Sequence, residues 1–141
     1  MSFDTLGELN WLAVIVATIV YFALGAAWYT VPAMSKAWMR ATGIEVPERG
    51  QGPGPGIYVV PLATAFVASV ATGMLAQATG SQTFGAGVVL GLVVGVGYAL
   101  TLTAVQETFG MRPQPGLAFL INGGYQFLGL LIVAVIVSVW Q

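Results

Sequence analysis

Four apolar runs, parted by short polar stretches, organise the chain: roughly residues 10–29, 57–78, 84–106 and 117–140. Each is close to or above the 20 or so mainly apolar residues that carry a helix across a bilayer. The last run holds fourteen Leu, Ile, Val or Phe residues. At about −0.3 to −0.6 kcal/mol apiece near the bilayer centre, they outweigh its few polar groups by several kcal/mol. The first run does not read as a signal peptide. No basic segment precedes it, and Trp28, Tyr29 and Pro32 make no small-residue cleavage site.

The polar punctuation predicts where these helices start and stop. "TLGE" at Thr5–Glu8 has capping-box spacing, which predicts a first helix beginning near Thr5. "ATGSQT" at Ala78–Thr83 offers Gly80 as a C-terminal cap and Ser81 or Thr83 as the next N-cap. The second and third runs are therefore expected to form a tight antiparallel hairpin. "ERGQGPGPG" at Glu48–Gly56 reads as a flexible linker, and without a following Gly-Lys-Ser/Thr it is no phosphate loop. Just after the first run, Pro32 suits the first turn of a new helix over about 32–42. On it Ala33, Met34, Ala37, Trp38 and Ala41 share one face, opposite Lys36 and Arg40. That pattern predicts an amphipathic interfacial helix. Trp28 and Tyr29 fall where an aromatic belt belongs. Together with Lys36, Trp38 and Arg40 they are expected to anchor the chain at the interface, with the apolar face in the lipid boundary and the cations toward anionic headgroups. The fold class to expect is an all-α membrane protein. Its single domain, 1–141, holds four transmembrane helices in an antiparallel bundle plus this short helix.

Composition strengthens the membrane reading and removes most chemistry. Only 6% of the 141 residues are charged, against about 25% in a soluble domain. So few charges cannot solvate a surface. Histidine and cysteine are both absent, which excludes disulfides, thiolate metal sites, His-ligated haem and Ser-His-Asp catalysis. The five acids do not cluster as a hard-cation site requires. A net charge of −1 with no basic stripe speaks against a nucleic-acid partner. No enzyme activity, cofactor or metal is expected.

The placement of the charges sets an orientation. None occurs from Gly50 to Gln106 or after Arg112. Lys36, Arg40 and Arg49 lie between the first two runs, and Arg112 lies between the last two. All four cations thus share one side of a four-span chain. By the positive-inside rule the 30–56 and 107–116 loops are cytoplasmic and both termini face outward, as expected in a plasma membrane.

In lipid, helices associate through close backbone approach and occasional hydrogen bonds. Gly87, Gly91 and Gly95 form a doubled G-x-x-x-G on the third span, and Ala65, Ser69 and Gly73 a small-residue stripe on the second. Packing of these stripes against each other within the hairpin is favoured over a dimer, because the tandem helix is a partner with no association cost. "VGVGYA" at Val94–Ala99 superficially resembles a potassium filter but sits inside one apolar run, so it is expected to be helical.

Polar residues inside the spans mark the candidate site. Asn122, Tyr125 and Gln126 lie on the fourth span, with Asn122 about 8 Å in from Leu117 at 1.5 Å per residue. Thr103, Gln106 and Glu107 lie at the matching end of the third. The six can meet in the cytoplasmic half of the bundle, either as interhelical hydrogen bonds or around a small cavity for an ion, proton or polar headgroup. Glu107 either pairs with Arg112 at the interface or, if buried, is a candidate for proton coupling. At the opposite end, Asn10 and Gln77 allow a second polar contact between the first two spans.

The motifs "NWLAV" at Asn10–Val14, "GAAWY" at Gly25–Tyr29, "KAW" at Lys36–Trp38 and "FLINGGYQ" at Phe119–Gln126 occur in that order along nearly the whole chain. In this the sequence resembles the domain of unknown function 1761 family, small prokaryotic membrane proteins with four spans and a longer first loop. The resemblance implies the fold and no activity. The leading expectation is an accessory or scaffold component of the membrane. The alternatives are a small homo-oligomeric transporter or channel, and a protein binding lipid or quinone between its helices. The partners to expect are the lipid bilayer and either further copies or a larger membrane complex.

Overall fold

A computed structural model describes residues 3–45 and 54–140. Arg49 and most of the glycine-rich linker lie outside these residues. The elements are α1 (Trp11–Thr30), α2 (Pro32–Thr42), α3 (Val59–Thr79), α4 (Phe84–Val94), a π-helical segment (Gly95–Leu100), α5 (Thr101–Phe109) and α6 (Pro115–Val139). Short 3₁₀ turns at Phe3–Gly7 and Pro55–Tyr58 precede α1 and α3, and no strand occurs among the described residues. Four helical segments are long and apolar enough to cross a membrane: Trp11–Thr30, Pro55–Thr79, Phe84–Phe109 and Pro115–Val139. Their outward faces carry exposed Leu12, Ile19, Val67, Val93, Leu102 and Leu120. A surface of that kind suits acyl chains. The protein is an all-α membrane bundle.

Local chemistry sets the helix ends. The first helix starts later than the Thr5–Glu8 spacing predicts. Thr5 and Glu8 close a 3₁₀ turn through Glu8 N–H to Thr5 O at 3.1 Å, and Asn10 caps α1 by accepting from the N–H groups of Leu12 and Ala13. The better cap, one residue before the apolar run, wins. Gln77 does reach across to the N-terminal segment, but it donates to the Glu8 carbonyl at 3.2 Å instead of meeting Asn10. Gly43 and Gly80 end α2 and α3 in the left-handed region, at φ 71° and 64°, where a Cβ would be strained. Thr83 caps α4 by accepting from Ala86 N–H.

The helix α6 is the hub, packed against each of the other helices. The expected hairpin pairing is corrected here. Gly87, Gly91 and Gly95 do not face Ala65, Ser69 and Gly73 of α3. They face Ser138, Val135, Leu131 and Phe127 of α6, while α3 packs against α1 and α6. Gly73 is turned to Leu9 and Val14, and Ala65 joins a core with Ala17, Tyr21 and Val133. A short turn fixes α3 and α4 as antiparallel but does not choose their partners. α6 presents its own small positions, Ala134 and Ser138, to the glycine stripe, so the closest backbone approach is made there.

The segment "VGVGYA" is helical as expected but overlaps the π-helical Gly95–Leu100, and this has a consequence for register. At 3.6 residues per turn, a stripe recurring every four residues drifts, so Gly87 and Glu107 would differ by roughly 200° on a uniform α-helix. One π turn takes an extra residue and returns roughly 100° of that rotation. Beyond this turn Thr103 and Glu107 are buried, at 8% and 1% exposure.

Candidate functional site

The end of the bundle where α1 passes into α2 and α5 into α6 gathers most of its polar side chains. Glu107, in the last turns of α5, is almost fully buried. Both its oxygens are engaged: Oε2 accepts from Arg112 Nε at 3.1 Å, and Oε1 accepts from Asn122 Nδ2 at 2.8 Å. Asn122 Oδ1 in turn accepts from the Tyr29 hydroxyl at 2.8 Å and from Trp38 Nε1 at 3.1 Å. One amide on α6 therefore ties together α1, α2 and α5. Its two ends are matched to their partners, oxygen to two donors and nitrogen to a carboxylate.

Deeper along α1 and α6 the same face continues as aromatic packing. Tyr125 lies between Tyr29 and Tyr21, with ring centroids 5.5 and 5.4 Å away. The Tyr21 hydroxyl donates to Gln126 Oε1, and Trp28 Nε1 donates to the Ile121 carbonyl at 3.2 Å. Glycines make the room. A Cβ at Gly25 would sit 2.8 Å from the Tyr125 hydroxyl, and one at Gly129 would run into the Tyr21 ring. Large rings on one helix thus lie over glycines of the other, in both directions.

The six polar residues named from the sequence are placed unequally. Glu107 and Asn122 are bonded to each other. Tyr125 and Gln126 belong to the aromatic column and meet Tyr21 and Tyr29. Thr103 is buried one turn from Glu107, and Gln106 is exposed. The expected anchor divides in two. Lys36 and Arg40 are exposed, but Trp28, Tyr29 and Trp38 turn their polar ring groups inward to α6. The polar ring groups of the expected belt form an intramolecular clasp, because Asn122 and the Ile121 carbonyl supply fixed partners inside the bundle. Likewise α2 does not simply lay its apolar face in lipid. Ala41 and Thr42 are buried, the Ala41 carbonyl accepts from Gln114 N–H at 3.1 Å, and Trp38 packs edge-on to Tyr29.

Three of the four motifs quoted from the sequence are thus parts that face one another: Gly25, Trp28 and Tyr29 on α1, Trp38 on α2, and Asn122 to Gln126 on α6. The profile of a family described as "Protein of unknown function (DUF1761)" matches residues 12–138. The chain belongs to this family. Comparison with curated proteins and with solved structures gives no match.

In this DUF1761 chain, sequence reasoning missed Tyr21, Gly25 and Gly129, and it missed the inward direction of the three anchor rings. A signal for them was present. Tyr21, Gly25, Trp28 and Tyr29 recur at helical spacing on one face of α1, and Asn122, Tyr125, Gln126 and Gly129 do the same on α6. Two matched faces of large and small residues mark a helix pair.

Proposed function

We propose that this protein is a non-enzymatic integral membrane component acting as an accessory or scaffold subunit, with its polar cluster serving to lock helices in place. The observation that carries this reading is that Glu107 and Asn122 spend their hydrogen-bonding groups on Arg112, Tyr29, Trp38 and each other. A transported ion or proton needs exchangeable ligands; a carboxylate with both oxygens held by protein groups is suited to fixing structure. Buried polar groups in a membrane are expensive and often functional, so the transport reading is the one to test against. Purification of the full chain in mild detergent followed by native mass spectrometry separates them. A stoichiometric larger partner is expected; a homo-oligomer enclosing a polar cavity, with no partner, would overturn the accessory role.

The same end of the bundle carries Lys36, Arg40 and Arg112, which supports placing it on the cytoplasmic side of the plasma membrane. Alkaline phosphatase fused after Gln141 should be active, whereas activity confined to cytoplasmic reporters would reverse the orientation.

A further inference from the structure

Lys36 and Arg40 stand about one turn apart on the exposed side of α2. With Met39 and with Ala33, which the sequence pattern put on the opposite face, they line a shallow depression of about 550 Å³. Neither cation forms an ion pair among the described residues, where the Arg112–Glu107 contact takes the other basic side chain. The opposite side of α2 is tied down by Trp38 to Asn122, by the Ala41 carbonyl to Gln114, and by the burial of Ala41 and Thr42. The two charges are therefore presented by a helix fixed to the bundle, unlike those of a free amphipathic helix that finds its own depth and rotation.

We infer that this depression is a binding site for the phosphate of one anionic phospholipid. Charge complementarity carries the assignment. A phosphodiester between Lys36 and Arg40 receives a point charge from one side and a planar fork of donors from the other. Met39 and Ala33 supply apolar lining for the glycerol and ester region beside it. The level also fits. α2 begins two residues after the last residue of the α1 span, and exposed Val31, Phe109 and Met111 lie at the same end of the bundle. A zwitterionic choline headgroup would bring its ammonium beside two cations, so the site favours lipids of net negative charge. The inference is independent of the accessory role proposed above.

The test is native mass spectrometry of the full chain in detergent micelles with equal amounts of phosphatidylglycerol and phosphatidylcholine of matched acyl chains. One phosphatidylglycerol should be retained in preference. The double variant Lys36→Gln/Arg40→Gln should weaken that retention by roughly thirtyfold, from about fivefold per cation near an anionic partner. The charge-keeping Lys36→Arg/Arg40→Lys should restore most of it. Both substitutions lie away from the buried face of α2, and helix content by circular dichroism checks that the fold is kept. Should the double variant fail to fold, Lys36→Gln and Arg40→Gln singly should each cost about fivefold. Equal retention of the two lipids, or indifference of phosphatidylglycerol to these substitutions, would overturn the site. Displacement of the lipid by millimolar inorganic phosphate would overturn the lipid assignment in favour of a free anion.

Discussion

From Leu131 to Ser138, α6 meets α4 across bare glycines, whereas from Ile121 to Gln126 it meets α1, α2 and α5 through hydrogen bonds and rings. The first region brings backbones together and gains dispersion contacts, with nothing polar exchanged. The second fills the space between helices with Tyr, Trp and Asn side chains, and the polar groups of Tyr21, Trp28, Tyr29, Trp38 and Asn122 are paired. In lipid neither region is driven by withdrawal of apolar surface from water, because acyl chains are as apolar as leucine. What differs is tolerance. Close packing against backbone cannot yield to an added atom, while a network of paired side chains loses stability one bond at a time.

The largest effect should therefore come from the dry region. A Cβ at Gly91 would lie 2.8 Å from the Leu131 Cα and 2.7 Å from its Cδ1, so Gly91→Leu must push α4 off α6. Overpacking usually costs about 1–3 kcal/mol and more where backbone is the obstacle, and here more than about 3 kcal/mol is expected. Stepwise denaturation with sodium dodecyl sulfate, followed by circular dichroism, measures it. A variant as stable as the parent would mean that α4 does not pack on α6 through this face.

The wet region should break more gently. Asn122→Leu removes three interhelical hydrogen bonds, to Tyr29, Trp38 and Glu107. At about 0.6 kcal/mol each in a bilayer, the sum is about 2 kcal/mol. Loss of α2 docking should accompany it, seen as faster proteolysis within 32–45. If Gly91→Leu proves milder than Asn122→Leu, the contrast between the two regions is reversed.

The comparison also explains what could be read in advance. Span number follows from length and apolarity, which the bilayer imposes on any sequence that crosses it. Partner choice does not follow. The Gly87–Gly91–Gly95 stripe fits any close-packing helix, and only the shared burial of α6 decides for Leu131 and Ala134 over Ala65 and Ser69. Trp28 and Tyr29 at a span end fit the rule for an aromatic belt whichever way their polar groups turn; only the acceptors on α6 show that those groups turn inward. Glu107 was ambiguous for a different reason. It follows the π-helical turn at Gly95–Leu100, which shifts the face it presents by roughly 100°, and a turn of this kind has no pattern of its own in an apolar run.

The smallest effect should fall inside the dry region, at Ser138. It is fully buried, and its hydroxyl has no hydrogen-bond partner among the described residues. Ser69 is equally buried, but its Oγ donates to the Ala65 carbonyl at 2.8 Å. Alanine at either position keeps the Cβ, so the contact of Ser138 Cβ with the Gly87 face survives. An unpaired buried hydroxyl is a cost that its removal relieves, while a paired one contributes on the order of 0.5–1.5 kcal/mol. Ser138→Ala should therefore raise stability, by up to about 1 kcal/mol, and Ser69→Ala should lower it by a similar amount. Opposite signs from one chemical change would show that the α4–α6 contact depends on shape alone. If both lower it equally, Ser138 has an acceptor, and the region taken as dry contains a hydrogen bond after all.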